Sequence, residues 1–240
     1  MIRLFLFAAL TAAAVPLPSP ILDFGATPLA SSQQRTLTMR LPSPSPFTAS
    51  GFLNLTFQAD TTLITDDPAI LFLGTGTRVL PFSVISGGTQ VLINGQSGAT
   101  FQTGTTSGRI LVTLTGIPQG ITGDPTTVLT IPASAIALDT ATATRLSGEL
   151  DVSLIGFDNT LTTGVMTFTF RDAAGLAIGA SATRADFTGA FAAYFTKTKA
   201  GSAFQALVTF PVNGDASLIA SVDVELASAA GTTTRHLLFH

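Results

Sequence analysis

The chain has 240 residues, no cysteine, and only 10% charged side chains with a formal net charge of -3. So little positive charge excludes an electrostatic nucleic-acid surface, and the missing thiols exclude disulfide staples and cysteine nucleophiles. Eighteen phenylalanines against one tyrosine and no tryptophan point to aromatics used as core filler rather than as polar-tipped binding groups.

Residues 1–14 read as a signal peptide. Met1-Ile2-Arg3 is a short positive start, Leu4 to Leu10 an apolar run, and Ala12-Ala13-Ala14 a small-residue cleavage site. The run is too short to span a bilayer, and no later run reaches membrane length, so the expectation is a secreted or cell-surface protein without a transmembrane anchor. Residues 15–34, with Pro16, Pro18, Pro20 and Pro28, read as an extended lead-in segment.

From Arg35 onward the pattern is strict alternation. Leu37, Met39 and Leu41 alternate with Thr36, Thr38 and Arg40, and Pro42-Ser43-Pro44-Ser45-Pro46 then stops the strand and suits a crossing between two sheets. Gly51–Ala59, Ala69–Leu73, Arg78–Val84, Gln90–Ile93, Ala99–Thr103, Arg109–Thr115 and Val128–Ile131 follow as short strands. Turn signals punctuate them at Asp66-Asp67-Pro68, Gly74-Thr75-Gly76, Ser86-Gly87-Gly88 and Asn94-Gly95. Pro132-Ala133-Ser134 marks a boundary, giving a first β-sandwich domain over 35–131 and a second over 132–240.

The second half continues with strands at Ala143–Ile155, Val165–Arg171, Leu176–Thr183, Phe204–Phe210, Leu218–Ala227 and Thr233–Phe239. Asp186–Lys199 is expected to run as a strand to about Phe191 and then as a short helical or irregular turn over Ala193–Lys197. The fold class is therefore all-β, with two tandem immunoglobulin-like antiparallel sandwiches. No residue-level repeat relates the halves.

The chemical inventory is thin, and no catalytic or cofactor-binding residue is assigned. His236 and His240 are the two histidines, and no Gly-x-Ser-x-Gly elbow presents a serine to either. Asp60, Asp66 and Asp67 offer oxygen ligands that calcium accepts, although the spacing is not that of an EF-hand and turn capping before Pro68 explains the last two. Glu149 and Glu225 are the two glutamates, the pair a carbohydrate-active hydrolase would need across one bond. The glycine pairs match no phosphate-binding frame. Lys197 and Lys199 beside Tyr194 read as an exposed loop, and Asn54-Leu55-Thr56 as the outward face of a strand despite its glycosylation pattern.

Leu22-Asp23-Phe24-Gly25 followed by Arg35-Thr36-Leu37-Thr38-Met39 resembles the opening of bacterial immunoglobulin-like domains of the abnormal-spindle and hydin (ASH/hydin-like) kind. More broadly, Gly51-Phe52-Leu53-Asn54-Leu55-Thr56-Phe57, Asp67-Pro68-Ala69 and Phe101-Gln102-Thr103-Gly104-Thr105 look like a first exported Thr/Ala/Gly-rich sandwich module of Acidobacteria. Phe157, Phe168, Phe170, Phe191, Tyr194, Phe210 and Gly214-Asp215 look like a second. The resemblance implies an uncharacterised surface or accessory module and transfers no catalytic residue.

The expectation is a noncatalytic extracellular scaffold or binding protein for a protein or polysaccharide partner. It would contact that partner through loops at Gly74-Thr75-Gly76, Gly87-Gly88, Asp158-Asn159 and Asn213-Gly214. The alternatives are a filament or surface-layer subunit that self-associates through strand edges, with Ile21 to Phe24 as the donor, and the hydrolase.

Overall fold

The computed structural model describes residues 15–25, 28–179 and 182–240. The leader expected at residues 1–14 lies outside them. The chain is built of antiparallel sheets, as the alternation requires. Leu53, Leu55, Ile110, Val112, Leu150, Val152, Leu154, Val222 and Val224 are buried, while their polar neighbours Thr56, Thr113, Ser153 and Asp223 are more exposed.

Among the described residues the first half contributes nine strands: β1 (Ile21–Asp23), β2 (Gln34–Arg40), β3 (Ala49–Ala59), β4 (Ile70–Phe72), β5 (Val79–Val84), β6 (Leu92–Ile93), β7 (Gly98–Thr103), β8 (Gly108–Thr115) and β9 (Thr126–Ile131). They form a four-stranded sheet in the order β1-β2-β7-β4 and a five-stranded sheet in the order β6-β5-β3-β8-β9. Both sheets turn their apolar faces into one core that includes Leu37, Phe72, Phe101, Leu53, Ile110 and Ile131. The proline run 42–46 carries the chain from β2 to β3 and therefore between the sheets, as expected. Asn94 and Gly95 have φ of 50° and 76°, the left-handed pair of a tight turn that closes Ile93 against Gln96.

The lead-in segment is more than a tether. Leu17 is fully buried, Leu29 nearly so, and Phe24 packs edge-on to Phe101 at 6.1 Å. Proline spacing hid this, because Pro16 and Pro18 argue against a strand while leaving Leu17 free to plug the core between them. The Ile21 to Phe24 stretch is thus used within its own chain, as β1 against β2.

The second half holds β10 (Ala137–Leu146), β11 (Glu149–Phe157), β12 (Val165–Arg171), β13 (Thr183–Asp186), the helix α1 (Thr188–Thr198), β14 (Ala203–Pro211), β15 (Ser221–Ser228) and β16 (Gly231–Leu238). The sheets run β10-β11-β14 and β13-β12-β15-β16 around a second core of Leu150, Val152, Phe168, Phe195, Val222 and Val224. At one side they nearly close: Arg145 N donates to His240 O at 2.9 Å and His240 N to Ala143 O at 3.3 Å. The other side, between β14 and β13, is spanned by α1.

Four sequence expectations change here. Leu218–Ala227 is a strand only from Ser221, because Ala216–Leu218 forms a 3-10 turn that Asp215 caps by accepting from Ser217 N at 2.9 Å. Ala143–Ile155 is not one strand but a hairpin, broken at Gly148 with φ of 81°, because both arms alternate and the turn interrupts neither pattern. Leu176–Thr183 is predicted as one strand, of which residues 180 and 181 lie outside the described residues. Asp172 Oδ1 accepts from the amides of Ala174 and Leu176 in a turn. Ala177 and Ile178 meet the end of β12 through the Arg171–Ala177 bridge and the bond from Ile178 N to Phe170 O at 2.8 Å, and regular pairing with β12 is seen over Thr183–Asp186. Asp186–Lys199 becomes helical at Thr188, well before Ala193. Phe191 and Phe195, four apart, face the core together, and Phe191 meets Phe204 at 5.3 Å. Burial of that stripe outweighs the poor helix propensity of Gly189 and the threonines.

The halves share one strand plan. β1-β2-β7 corresponds in order to β10-β11-β14, and β9-β8-β3-β5 to β16-β15-β12-β13. The first half adds β6 beside β5 and β4 beside β7; the second has α1 between β13 and β14 instead.

Candidate functional site

Two of the polar motifs that the sequence singled out, Asp67 and Asp158-Asn159, lie at the junction between the halves. Asp67 is fully buried in the loop after β3. Its Oδ2 accepts from Thr105 N at 2.7 Å, Thr106 N at 2.9 Å and Thr105 Oγ1 at 3.0 Å, and its Oδ1 from Ala69 N at 3.0 Å. Thr105 then reaches the second half: its Oγ1 accepts from Ser202 N at 3.0 Å, and its carbonyl from Ser202 Oγ at 2.6 Å. Gly201 fits beside this network with φ of 67°, and a Cβ there would lie 2.7 Å from both Asp67 Oδ1 and Thr105 Oγ1.

Asn159, 1% exposed, ties the same junction from the other side. Its Nδ2 donates to Ser31 Oγ at 2.9 Å and Pro132 O at 2.8 Å, its Oδ1 accepts from Ser134 N, and its carbonyl from Ser107 N. Asp158 stands beside it in a second amide cradle, accepting from Thr162 N at 2.7 Å and Thr163 N at 2.6 Å. An apolar arm completes the contact: Ile64, from the loop that carries Asp67, is buried in the second core. The hydroxyls of Thr106 and Thr163, whose amides serve these two cradles, are buried without a partner. The carboxylates and Asn159 are each held by several bonds, so that a slip leaves several groups unmet at once.

This geometry disperses the acidic trio. Asp67 is turned inward to amides, Asp66 forms an exposed ion pair with Arg78 at 2.7 Å, and Asp60 is exposed. Among the described residues no group of three or more His, Cys, Asp or Glu side chains is placed to hold a metal ion. Glu149 and Glu225 also stay apart. Each alternates with core residues, Glu149 beside Leu150 on β11 and Glu225 between Val224 and Leu226 on β15, so they project from the two opposite outer faces of the second half. They do not flank a common cleft, which removes the paired-carboxylate chemistry that suggested them.

His236 lies on the outer face of β16, opposite Asp223 on β15, with Nδ1 2.6 Å from Asp223 Oδ1. Arg171 Nε donates to Asp223 Oδ2 at 2.7 Å, so one carboxylate is shared by two basic groups. The hydrogen bond from His236, with Arg171 adding to it, holds the Asp223 carboxyl below its ordinary value of 3.8 despite partial burial. Bonds from Thr188 and Ser217 lower Asp186 and Asp215 in the same way. A depressed native carboxyl contributes stability that is fully present above the unfolded value and is lost as pH falls through the native one. Thermal unfolding followed from pH 6 to pH 2 is therefore expected to show a falling Tm below about pH 4, and Asp223→Asn a shallower fall over that window.

Of the four loops proposed for partner contact, one is not available at the surface. Asp158-Asn159 is buried in the junction. Gly87 and Gly88 exchange backbone bonds with Ser45 at 2.8 and 2.9 Å, and Gly87, like Gly74-Thr75-Gly76 and Asn213-Gly214, is exposed. Lys197 and Lys199 are exposed at the end of α1, and Asn54 is bonded to Thr115 Oγ1 at 2.8 Å on the outer face of β3. The junction itself gave one sequence signal, the turn-forming Asp67 and Asp158-Asn159. Their burial was not visible, because the partners Thr105, Ser202 and Ser31 lie 38 to 128 residues away.

Neither a protein-family model nor a curated protein matches the chain. A solved structure that contains manganese lipoxygenase of Gaeumannomyces graminis and part of zonadhesin of Komagataella pastoris is similar over 94% of this chain and 94% of that chain, at 13% identity and a TM-score of 0.21. Similarity at that TM-score carries no argument about fold or activity. Among the described residues no helix is long and apolar enough to cross a membrane.

Proposed function

We propose that the protein is an exported, noncatalytic binding scaffold of two immunoglobulin-like domains. The observation that carries this reading is the strand plan shared by both halves. An immunoglobulin sandwich places strands A, B, E and D in one sheet and G, F, C and C′ in the other. The order β10-β11-β14 reads as A-B-E and β16-β15-β12-β13 as G-F-C-C′, each met in the chain in its proper sequence. In the first half β1-β2-β7-β4 reads as A-B-E-D, although β4 precedes β5 and so reaches the D position early.

The buried junction supports the scaffold part of the proposal. Domains joined by a short linker ordinarily move against each other. Here two sets of buried bonds cross the joint, Asp67 with Thr105 and Ser202, and Asn159 with Ser31 and Ser107, which favours a stiff pair that presents its free surfaces at a set spacing. The leader read at residues 1–14 supports export.

The test is binding of the purified chain, without residues 1–14, to insoluble wall polysaccharides and to secreted protein fractions. Saturable binding that leaves the bound material chemically unchanged by mass spectrometry is the expected result. Turnover of the bound material would overturn the noncatalytic reading, and failure to bind either class would overturn the binding role.

A further inference from the structure

We infer that the free edge of β14 is an acceptor groove for one extended, uncharged peptide segment of another protein, carrying apolar side chains at alternate positions. This rests on the binding-scaffold reading and gives it a site and a partner class.

Three observations lead there. The first is a strand vacancy. In the first half, β4 lies outside β7 and seals that sheet, with Ile70 fully buried and Phe72 1% exposed. β14 holds the position of β7 in the second half, and among the described residues no strand lies outside it. Its inward residues show the gap: Ala206, Val208 and Phe210 are only half-buried, while Leu150, Val152 and Leu154 on the adjacent β11 are at most 1% exposed.

The second is the state of the backbone. Asp158 N donates to Ser202 O and Val212 N to Gly148 O, which sets the register: even-numbered residues of β14 bond to β11. In an antiparallel ladder the intervening residues point the other way. Gln205, Leu207 and Thr209 therefore aim N–H and C=O groups at an edge where, among the described residues, β14 has no paired strand. Edges of this length are usually guarded by charge. β14 carries no charged residue, and Leu207 is 65% exposed.

The third is the wall. α1 stands off the edge and leaves a cavity of about 240 Å³, lined by Met166, Phe187, Phe191, Tyr194, Leu207 and Val208 among others. That volume is below the roughly 300–1,000 Å³ typical of whole small-molecule sites. It suits a side chain of an added strand, the arrangement in which main-chain bonds give affinity and pockets for alternate side chains give specificity. The lining carries no acidic or basic group, so a neutral occupant fits best. β4 itself supplies the pattern: Ile70 and Phe72 inward, Leu71 between them.

The probe is a synthetic peptide of residues 68–75, Pro-Ala-Ile-Leu-Phe-Leu-Gly-Thr, added to the full chain without residues 1–14. One-to-one saturable binding is expected, with slowed hydrogen exchange at the amides of Gln205, Leu207 and Thr209. A peptide carrying Ile70→Asp and Phe72→Asp should not bind. Leu207→Pro in the protein removes an outward amide without touching the β11 ladder and should weaken binding at least tenfold. Ala190→Trp, from an exposed helix position that lines the cavity, should do the same should Leu207→Pro fail to fold.

Absence of binding, or binding that leaves those three amides unprotected, overturns the inference. Concentration-dependent dimerisation abolished by Leu207→Pro overturns the foreign segment in favour of a second copy. Polysaccharide or protein binding that survives both variants leaves the scaffold reading standing while removing this groove from it.

Discussion

Asp67→Ala is expected to lower the unfolding free energy by roughly 3–5 kcal/mol, the range for removing one side of a buried, charge-assisted set of hydrogen bonds. Thr105 N, Thr106 N and Ala69 N would lose their acceptor in a place that Asp67 occupies at 0% exposure. The Thr105 hydroxyl that receives Ser202 N would also lose its anchor, so the effect reaches across the junction. Urea unfolding with a probe in each half measures it. A loss below 1 kcal/mol would show that water replaces the carboxylate, and that the junction is looser than its geometry implies. Asp67→Asn should cost less, since it keeps one acceptor oxygen.

Phe195→Ala addresses a different interaction, with a comparable expected loss of about 3–5 kcal/mol. The ring is fully buried beneath α1 and lies 5.9 Å from both Phe191 and Tyr194. Removing it takes away the anchor of an eleven-residue helix too short to persist by propensity alone. Amide exchange should accelerate along Thr188–Thr198, while β2 and β8, packed in the other core, keep their protection. Uniform acceleration in both halves would instead mean that the two cores unfold as one cooperative unit.

The strands were legible wherever the buried face alternates strictly with a hydrated one. Gly51–Ala59, Arg109–Thr115 and Val165–Arg171 all pair within two residues of their expected limits. The errors occurred where local pattern and tertiary partner disagree. The hairpin at Gly148 leaves no mark on the pattern because alternation continues through it, and α1 begins earlier than the pattern predicts because Phe191 and Phe195 secure a helix that Gly189 and the threonines argue against. The acidic residues show the same division. Their kind was evident from composition, but whether a carboxylate meets a cation, water or amides depends on what lies opposite.

By itself, then, the sequence determined an antiparallel, cysteine-free chain whose apolar residues take one side of each strand, because side-chain direction repeats every second residue and needs no distant partner. Only the tertiary structure decided that Asp67 and Asn159 bolt the halves together, that Glu149 and Glu225 face apart, and that no strand among the described residues pairs with the outer edge of β14. Each of those depends on which strands become neighbours. Neighbours are chosen by packing between segments tens of residues apart, and no local pattern encodes that choice.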